Sequence, residues 1–331
     1  MGRREGKDYP MAHKVVVIPN HLPHLNFLKE WDELKNAELI IVQDIGDKVE
    51  IPKGFYGRVY DHDDVYSDLE DDSWIIPSQS SACRSYGYYK AWQLNPDYIF
   101  TLDNDCYPDG SSFLNGHIEN LKGHTTLGFV TSTPQYEFTR GFPYGIRDKN
   151  PIALSHGLWS NVPDLDAATS LHNPDLRFIP SYEEDRFIIP QYNYYPLCGM
   201  NLAWRAGLTP ALYFGIFGPD WGFDQYDDIW AGFLSKKVMD HLGLAVMSGY
   251  PSVEHRKQSN VFVNLKKQAP GLAMNEVFWK IIRDIPLYSD NIVDAYRELI
   301  ENLPNTVENE PLGYTLQFKK ACLTWISLFD D

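Results

Sequence analysis

The sequence predicts an α/β protein: an open, mixed but mostly parallel sheet flanked by helices, with a C-terminal helical extension. Three observations carry that prediction. Lys14 to Pro19 and Leu39 to Asp44 are short, β-branched runs that stop at polar residues, with a helical pattern between them, which is the grammar of a βαβ unit. Tyr98 to Cys106 reads Tyr-Ile-Phe-Thr-Leu-Asp-Asn-Asp-Cys, a buried strand whose carboxyl end delivers two carboxylates into a crevice. From about Asn275 the chain becomes amphipathic and helical.

Taken in order, residues 1–13 are polar and charged and read as a flexible tail without the apolar segment of a secretory signal. Lys14 to Pro19 is the first strand, stopped by proline and followed by Asn20 and His21. Leu25, Leu28 and Trp31 recur at three-residue spacing and predict a helix over Leu25 to Leu34. Leu39 to Asp44 is the second strand, closed by a carboxylate with Gly46 just beyond. Asp61 to Asp72 is acidic and poor in core residues, so it reads as a surface loop. A helix over Ser80 to Gln93, with Arg84 near its start, leads into the Tyr98 strand. Phe129 to Asn150 and Asp164 to Pro196 are rich in turn residues and aromatics and read as long irregular stretches bordering a site. Asp227 and Asp228 open a helical pattern that runs to Leu242, where first-turn carboxylates would complement the helix dipole. Val277 to Ile285, Ile292 to Leu303 and Leu312 to Leu328 are the C-terminal helices. The expected division is a main domain over 14–270 and an extension over 271–331 packed on it.

Size and composition narrow the function. The 331 residues are 44% apolar and 14% aromatic, ample for a sizeable core. A formal net charge of -16 argues against broad nucleic-acid or anionic-membrane binding. No apolar run approaches the roughly 18 residues of a membrane-spanning helix. Cys83, Cys106, Cys198 and Cys322 are scattered without Cys-x-x-Cys spacing, a pattern that reads as reduced and intracellular.

The chemistry concentrates at the strand ends. Asp103 and Asp105 flank a turn and suit a hard divalent cation, Mn²⁺ or Mg²⁺, whose shell is commonly completed by water and substrate phosphate. An Asp-x-Asp after a strand is equally an ordinary Asx-turn. Asp44 is placed to hydrogen-bond a base or ribose. His255, followed by Arg256 and Lys257, fits a phosphate-binding loop in which the imidazole completes the metal shell and the cations stabilise a departing diphosphate. The first reading is a metal site for a phosphorylated ligand.

Further segments occur in a fixed order: Val-Ile-Pro, Val-Gln-Asp, Ser-Ala-Cys-Arg, Phe-Thr-Leu-Asp-Asn-Asp-Cys, Arg-Gly-Phe-Pro-Tyr, Ser-His-Gly-Leu-Trp, Cys-Gly-Met-Asn-Leu-Ala, Tyr-Asp-Asp-Ile-Trp-Ala-Gly, Asp-His-Leu-Gly-Leu and Phe-Val-Asn-Leu-Lys-Lys. Together they resemble the reversibly glycosylated polypeptides, the UDP-arabinopyranose mutase family, over about Lys14 to Lys267. The resemblance implies a GT-A-like, Rossmann-type nucleotide-sugar domain, a Mn²⁺ or Mg²⁺ ion at Asp103 and Asp105, and a UDP-sugar, UDP-L-arabinose, as ligand. It also implies interconversion of the arabinopyranose and arabinofuranose forms, with reversible attachment of the sugar to Arg147. Residues at the motif positions complete the expected nucleotide-sugar site: Pro19, Asn20, Asp44, Arg84, Asp103, Asn104, His156, Trp159, Gly199, Asn201, Lys257 and Asn260. The family's middle Asp is Asn104 here, and Asn20 and His21 replace the usual Thr-Ile after the first strand.

A guanidinium is a poor nucleophile, so Arg147 needs an electrophilic anomeric carbon or a carboxylate to take its proton, and Asp227 and Asp228 are the candidates. Helix capping explains those two carboxylates equally well. Two rival functions stay open: a glycosyltransferase with the same donor and an external acceptor, and a non-catalytic partner subunit of an active paralogue. The C-terminal helices suit packing on the main domain and equally a homo- or hetero-oligomer. The expected location is the cytoplasm, at most peripheral to a membrane-bound glycan-assembly system.

Overall fold

The computed structural model describes residues 12–128, 138–147, 149–179, 186–256, 260–308, 310–311 and 313–330. Its strands are β1 (Lys14–Asn20), β2 (Glu38–Gln43), β3 (Tyr56–Tyr60), β4 (Tyr98–Leu102), β5 (Cys106–Tyr107), β6 (His124–Thr125), β7 (Asn150–Asn161), β8 (Arg186–Ile188), β9 (Asn201–Arg205) and β10 (Ala245–His255). The helices are α1 (His62–Leu69), α2 (Arg84–Gln93), α3 (Phe113–Lys122), α4 (Ala167–His172), α5 (Asp227–His241), α6 (Val261–Asp284), α7 (Ile292–Glu301) and α8 (Tyr314–Ser327). The main sheet has the order β3-β2-β1-β4-β9-β7-β10-β5. Neighbours from β3 to β4 are parallel, as are β7 and β10, while β9 lies antiparallel between β4 and β7. The result is the mixed, mostly parallel α/β sheet expected of a GT-A-like fold.

The continuous apolar runs follow from this position. Val15 and Val17 of β1 and Ile40 and Val42 of β2 enter one core, while Val16, Ile18, Leu39 and Ile41 enter the other. A central parallel strand is covered on both faces, so alternation is lost and both sets of side chains are apolar. The helices α5 to α8 build the first core: the Trp230 and Phe278 rings lie 4.5 Å apart, and Tyr213 stacks on Trp325 at 5.1 Å. The helix α6 runs without a break through residue 270, so the expected division at 270/271 falls inside one helix. Among the described residues no helix is long and apolar enough to cross a membrane.

Two local expectations are corrected. The helix expected over Leu25 to Leu34 is a pair of 3-10 turns, Asn26–Glu30 and Asp32–Asn36, interrupted at Trp31. Trp31 has φ -101° and ψ 69°, outside the helical region, and its buried indole donates to the Cys106 carbonyl at 3.0 Å, so tertiary anchoring overrides the spacing. The acidic loop expected over Asp61 to Asp72 is helical: α1 followed by a 3-10 turn at Glu70–Ile75. Asp61 accepts from the Asp63 and Asp64 amides while Asp64 accepts from the Asp61 amide, a reciprocal cap, and Val65 and Leu69 bury the inner face. The acidity that suggested a loop is the start signal of a helix.

Candidate functional site

The carboxyl ends of β4 and β10 open onto a cavity of about 490 Å³, whose walls include six aspartates, Asp103, Asp105, Asp164, Asp166, Asp227 and Asp228. Against them stand the Arg84 guanidinium and the His255 imidazole. A diphosphate entering this field would meet severe like-charge repulsion unless a cation accompanied it.

Arg84, the first residue of α2, is almost fully buried. It donates to the Gly199 carbonyl at 2.6 Å, the Thr101 hydroxyl at 3.3 Å and the Ser81 carbonyl at 3.0 Å, and its Nη2 lies 2.7 Å from Asp103 Oδ1. Burial pushes the Asp103 carboxyl up, against the opposing pull of Arg84. A Cβ at Gly199 would sit 2.8 Å from Arg84 Nη1, so a larger residue there would displace the guanidinium.

Asp105 has a different partner. The His255 Nδ1 lies 2.8 Å from the Val162 carbonyl, so that nitrogen carries the proton and donates it. The other ring nitrogen, Nε2, faces Asp105 Oδ2 at 3.5 Å. In a neutral imidazole these are two acceptors looking at each other, which is stable only with a positive species between or upon them. Burial disfavours charge on His255, yet Asp105 foremost, with the Val162 carbonyl and Asp164, outweighs this and raises its pKa. A divalent cation satisfies the same geometry, and the Nδ1–H to backbone carbonyl bond is the usual support of a metal-ligating histidine. Asp105 and His255 therefore fit a metal.

Asp227 and Asp228 lie in the first turn of α5, but its N-cap is Tyr226 and has no side-chain capping bond. Asp227 accepts from the Ser81 hydroxyl at 2.5 Å, and Asp228 accepts from the Gly199 amide at 2.9 Å. Burial raises both carboxyls, with Asp228 held well above the usual range and the neighbouring Asp227 adding to the effect. Asp164, Cys198 and Asp228 form a cluster whose ligand atoms lie within 4.8 Å of one another, with the Cys198 thiol donating to Asp164 at 2.9 Å. This is a second possible metal-holding group. In the sequence Asp164 opens an irregular stretch and Cys198 is one of four scattered cysteines, so pattern singles out neither. The only signal was the position of Cys198 at the head of Cys-Gly-Met-Asn.

The other expected binding residues divide. His156 and Trp159, both on β7, line the cavity. Asn20 and Asn104 instead hold strand ends together: Asn104 Nδ2 donates to Asn20 Oδ1 at 2.9 Å, and Asn20 Nδ2 donates to Gln43 Oε1 at 2.7 Å. Pro19 lies within β1, opposite Val42 of β2. Asp44 accepts from the Gln79 amide at 2.8 Å and contacts His62 at 3.2 Å, outside the cavity lining. Asn201 is spent on His117 and on the Leu158 and Pro251 carbonyls. Asn260 caps α6 through the Phe262 and Val263 amides. Arg147 also lies outside the cavity lining. Its guanidinium is 3.9 Å from the Tyr144 ring and 4.5 Å from that of Phe138, and it donates to the Phe142 carbonyl at 3.0 Å. Lys257 lies outside the described residues.

The amide chain explains the absent middle carboxylate. Asn104 is buried, and an aspartate there would oppose the Asn20 carbonyl oxygen with another acceptor. Asn104→Asp is expected to lower stability by about 1–3 kcal/mol, read as a lower urea midpoint at unchanged slope.

The family model for reversibly glycosylated polypeptides matches residues 12–331. Relatives include the probable UDP-arabinopyranose mutase 1 of Pisum sativum, 36% identical across 96% of this chain and 90% of that protein. UDP-arabinopyranose mutase 1 of Oryza sativa subsp. japonica is 36% identical over the same shares. UDP-arabinopyranose mutase 1 of Arabidopsis thaliana is 36% identical across 96% of this chain and 92% of that protein.

Proposed function

Because the chain belongs to the reversibly glycosylated polypeptide family, we propose that it is a UDP-sugar mutase interconverting UDP-L-arabinopyranose and UDP-L-arabinofuranose. The observation that supports this reading most is the pairing of Asp105 with His255 in a cavity crowded with carboxylates. Those two residues would hold Mn²⁺ or Mg²⁺, with Asp103 kept in place by Arg84. The ion would supply neutralisation of the diphosphate charge.

The chain's own residues then divide the remaining work. Arg84 sets the cavity floor by fixing Asp103 and the Gly199 carbonyl, while Gly199 in turn orients Asp228. Asp227 and Asp228, raised by burial, are suited to hold and return a proton. In the self-glycosylation step the C1–O bond to UDP breaks, a guanidine nitrogen of Arg147 bonds to C1, and its proton passes to one of these carboxylates. The reverse step restores the nucleotide sugar. Arg147 must leave its stack on Tyr144 and Phe138 to reach the cavity, an unfavourable exchange of cation–π contact for reaction geometry. Closure against water is also required, since hydrolysis would drain the adduct.

The position of Arg147 favours one second reading, a transferase that hands the sugar to an external acceptor. Arg147→Ala separates the two. The mutase reading expects loss of both pentose labelling and interconversion, with Mn²⁺-dependent UDP binding kept; full interconversion in this variant would remove Arg147 from the reaction. Association with further copies or a paralogue and a cytoplasmic location belong to the same proposal.

A further inference from the structure

Behind the cavity wall three side chains from separate segments meet. The Tyr195 hydroxyl lies 2.8 Å from His156 Nδ1 and 2.6 Å from Ser248 Oγ, and His156 Nδ1 lies 3.2 Å from the same Ser248 oxygen. Tyr195 and His156 line the cavity, whereas Ser248 is buried and does not. Beside them the Trp159 indole, its centroid 6.3 Å from the imidazole, keeps a buried Nε1 without a hydrogen-bond partner among the described residues. A buried unpaired donor in a cavity wall is costly unless a polar ligand meets it. None of this cluster takes part in holding a metal or in the Arg147 step.

The chemistry of ring exchange asks for such a cluster. In the pyranose O5 is in the ring and O4 carries a proton; in the furanose O4 is in the ring and O5 carries it. Conversion to the furanose breaks C1–O5, forms C1–O4 and moves one proton from O4 to O5, and the return reverses each change, whatever holds C1 meanwhile. Carboxylates facing the diphosphate are poorly matched to this exchange between two alcohols. A phenol can serve both directions.

We propose that Tyr195 is the acid and base of ring exchange, with His156 and Ser248 as its positioning residues. This rests on the mutase reading above. As the C1–O5 electron pair withdraws onto O5, Tyr195 gives O5 its proton. The phenolate oxygen then takes the proton of O4 as O4 closes on C1, so the protein ends as it began. The Ser248 hydroxyl donates to the phenolate in between. Burial keeps His156 neutral, pushed down to about 4, and pushes Tyr195 up to about 12, within the range of sugar hydroxyls. Neutral partners let one proton shuttle without creating a lasting charge beside the aspartates.

The test uses UDP-L-arabinopyranose carrying ¹⁸O in the C1–O–phosphorus bridge, with the full chain and Mn²⁺. Scrambling of the label into the non-bridging β-phosphate positions reports C1–O cleavage and return; chromatography reports the furanose product. Tyr195→Phe is expected to retain scrambling while furanose formation falls by about 10²-fold or more. Ser248→Ala, which leaves the phenol in place, is expected to lose about tenfold in isomerisation alone. The solvent deuterium isotope effect on isomerisation is expected to change in Ser248→Ala while that on scrambling stays as in the unmutated protein, a split that a purely structural role for Tyr195 would not produce. Should Tyr195→Phe unfold, the Ser248→Ala split and the isotope effect decide the question. Isomerisation untouched in either variant, or lost in step with scrambling, overturns the relay. If the unmutated protein scrambles no label and forms no furanose, the mutase reading itself fails and takes the relay with it.

Discussion

Asp105→Ala is expected to abolish metal-dependent UDP binding and to lower turnover of UDP-arabinose by on the order of 10²–10³-fold. The reason is local. Asp105 is the carboxylate that confronts His255 Nε2, and without it the imidazole loses the partner that raises its pKa while five aspartates remain around the cavity. Those five provide charge but not the paired geometry, since Asp103 is engaged by Arg84 and Asp228 by the Gly199 amide. Calorimetric titration with UDP, with Mn²⁺ and with EDTA, reads the effect directly. The unmutated protein should bind UDP far more tightly with the metal, and the variant should bind it weakly under both conditions. A variant whose UDP affinity still rises with Mn²⁺ would move the ion to the Asp164, Cys198 and Asp228 cluster.

Arg84→Met should carry the largest cost in stability, about 3–5 kcal/mol. The guanidinium is buried and binds the Ser81 carbonyl, the Thr101 hydroxyl, the Gly199 carbonyl and the Asp103 carboxylate at once. Methionine fills part of the volume but leaves the half-buried Asp103 carboxylate and the Ser81 and Gly199 carbonyls without the guanidinium they share. Arg84→Lys recovers little, because a single ammonium cannot span partners arranged for a planar fork. Denaturant unfolding of the two variants checks this; a midpoint within the error of the unmutated protein would show that the ion pair with Asp103 contributes nothing net.

The parts of the fold that were legible are those governed by local pattern. The first two strands and β4 end within a residue or so of their expected limits, since apolar runs closed by Pro19, Asp44 and Asp103 leave little latitude. The crevice at the strand ends followed from the same pattern, and Asp103, Asp105, Asp227, Asp228 and His255 do border one cavity. What could not be read depends on distant partners. Asn20 and Asn104 look like ligand groups until the amide chain through Gln43 shows where their hydrogen bonds go. Asp164 and Tyr195 come from a stretch with no periodicity and Cys198 lies just beyond it, and only the fold brings them to Asp228 and His156. Trp31 marks the reverse case: its spacing suits a helix, yet its buried indole is anchored to the Cys106 carbonyl and against the Phe113 ring, and its backbone leaves the helical region.

The most direct measurement is incubation of the full chain with UDP-L-arabinopyranose and Mn²⁺, following nucleotide sugars by chromatography and protein mass in the same reaction. The account predicts UDP-L-arabinofuranose approaching a fixed equilibrium from either side, together with a reversible pentose adduct on Arg147. UDP bound with Mn²⁺ but no furanose formed from the pyranose would contradict it and leave a donor site that serves an external acceptor.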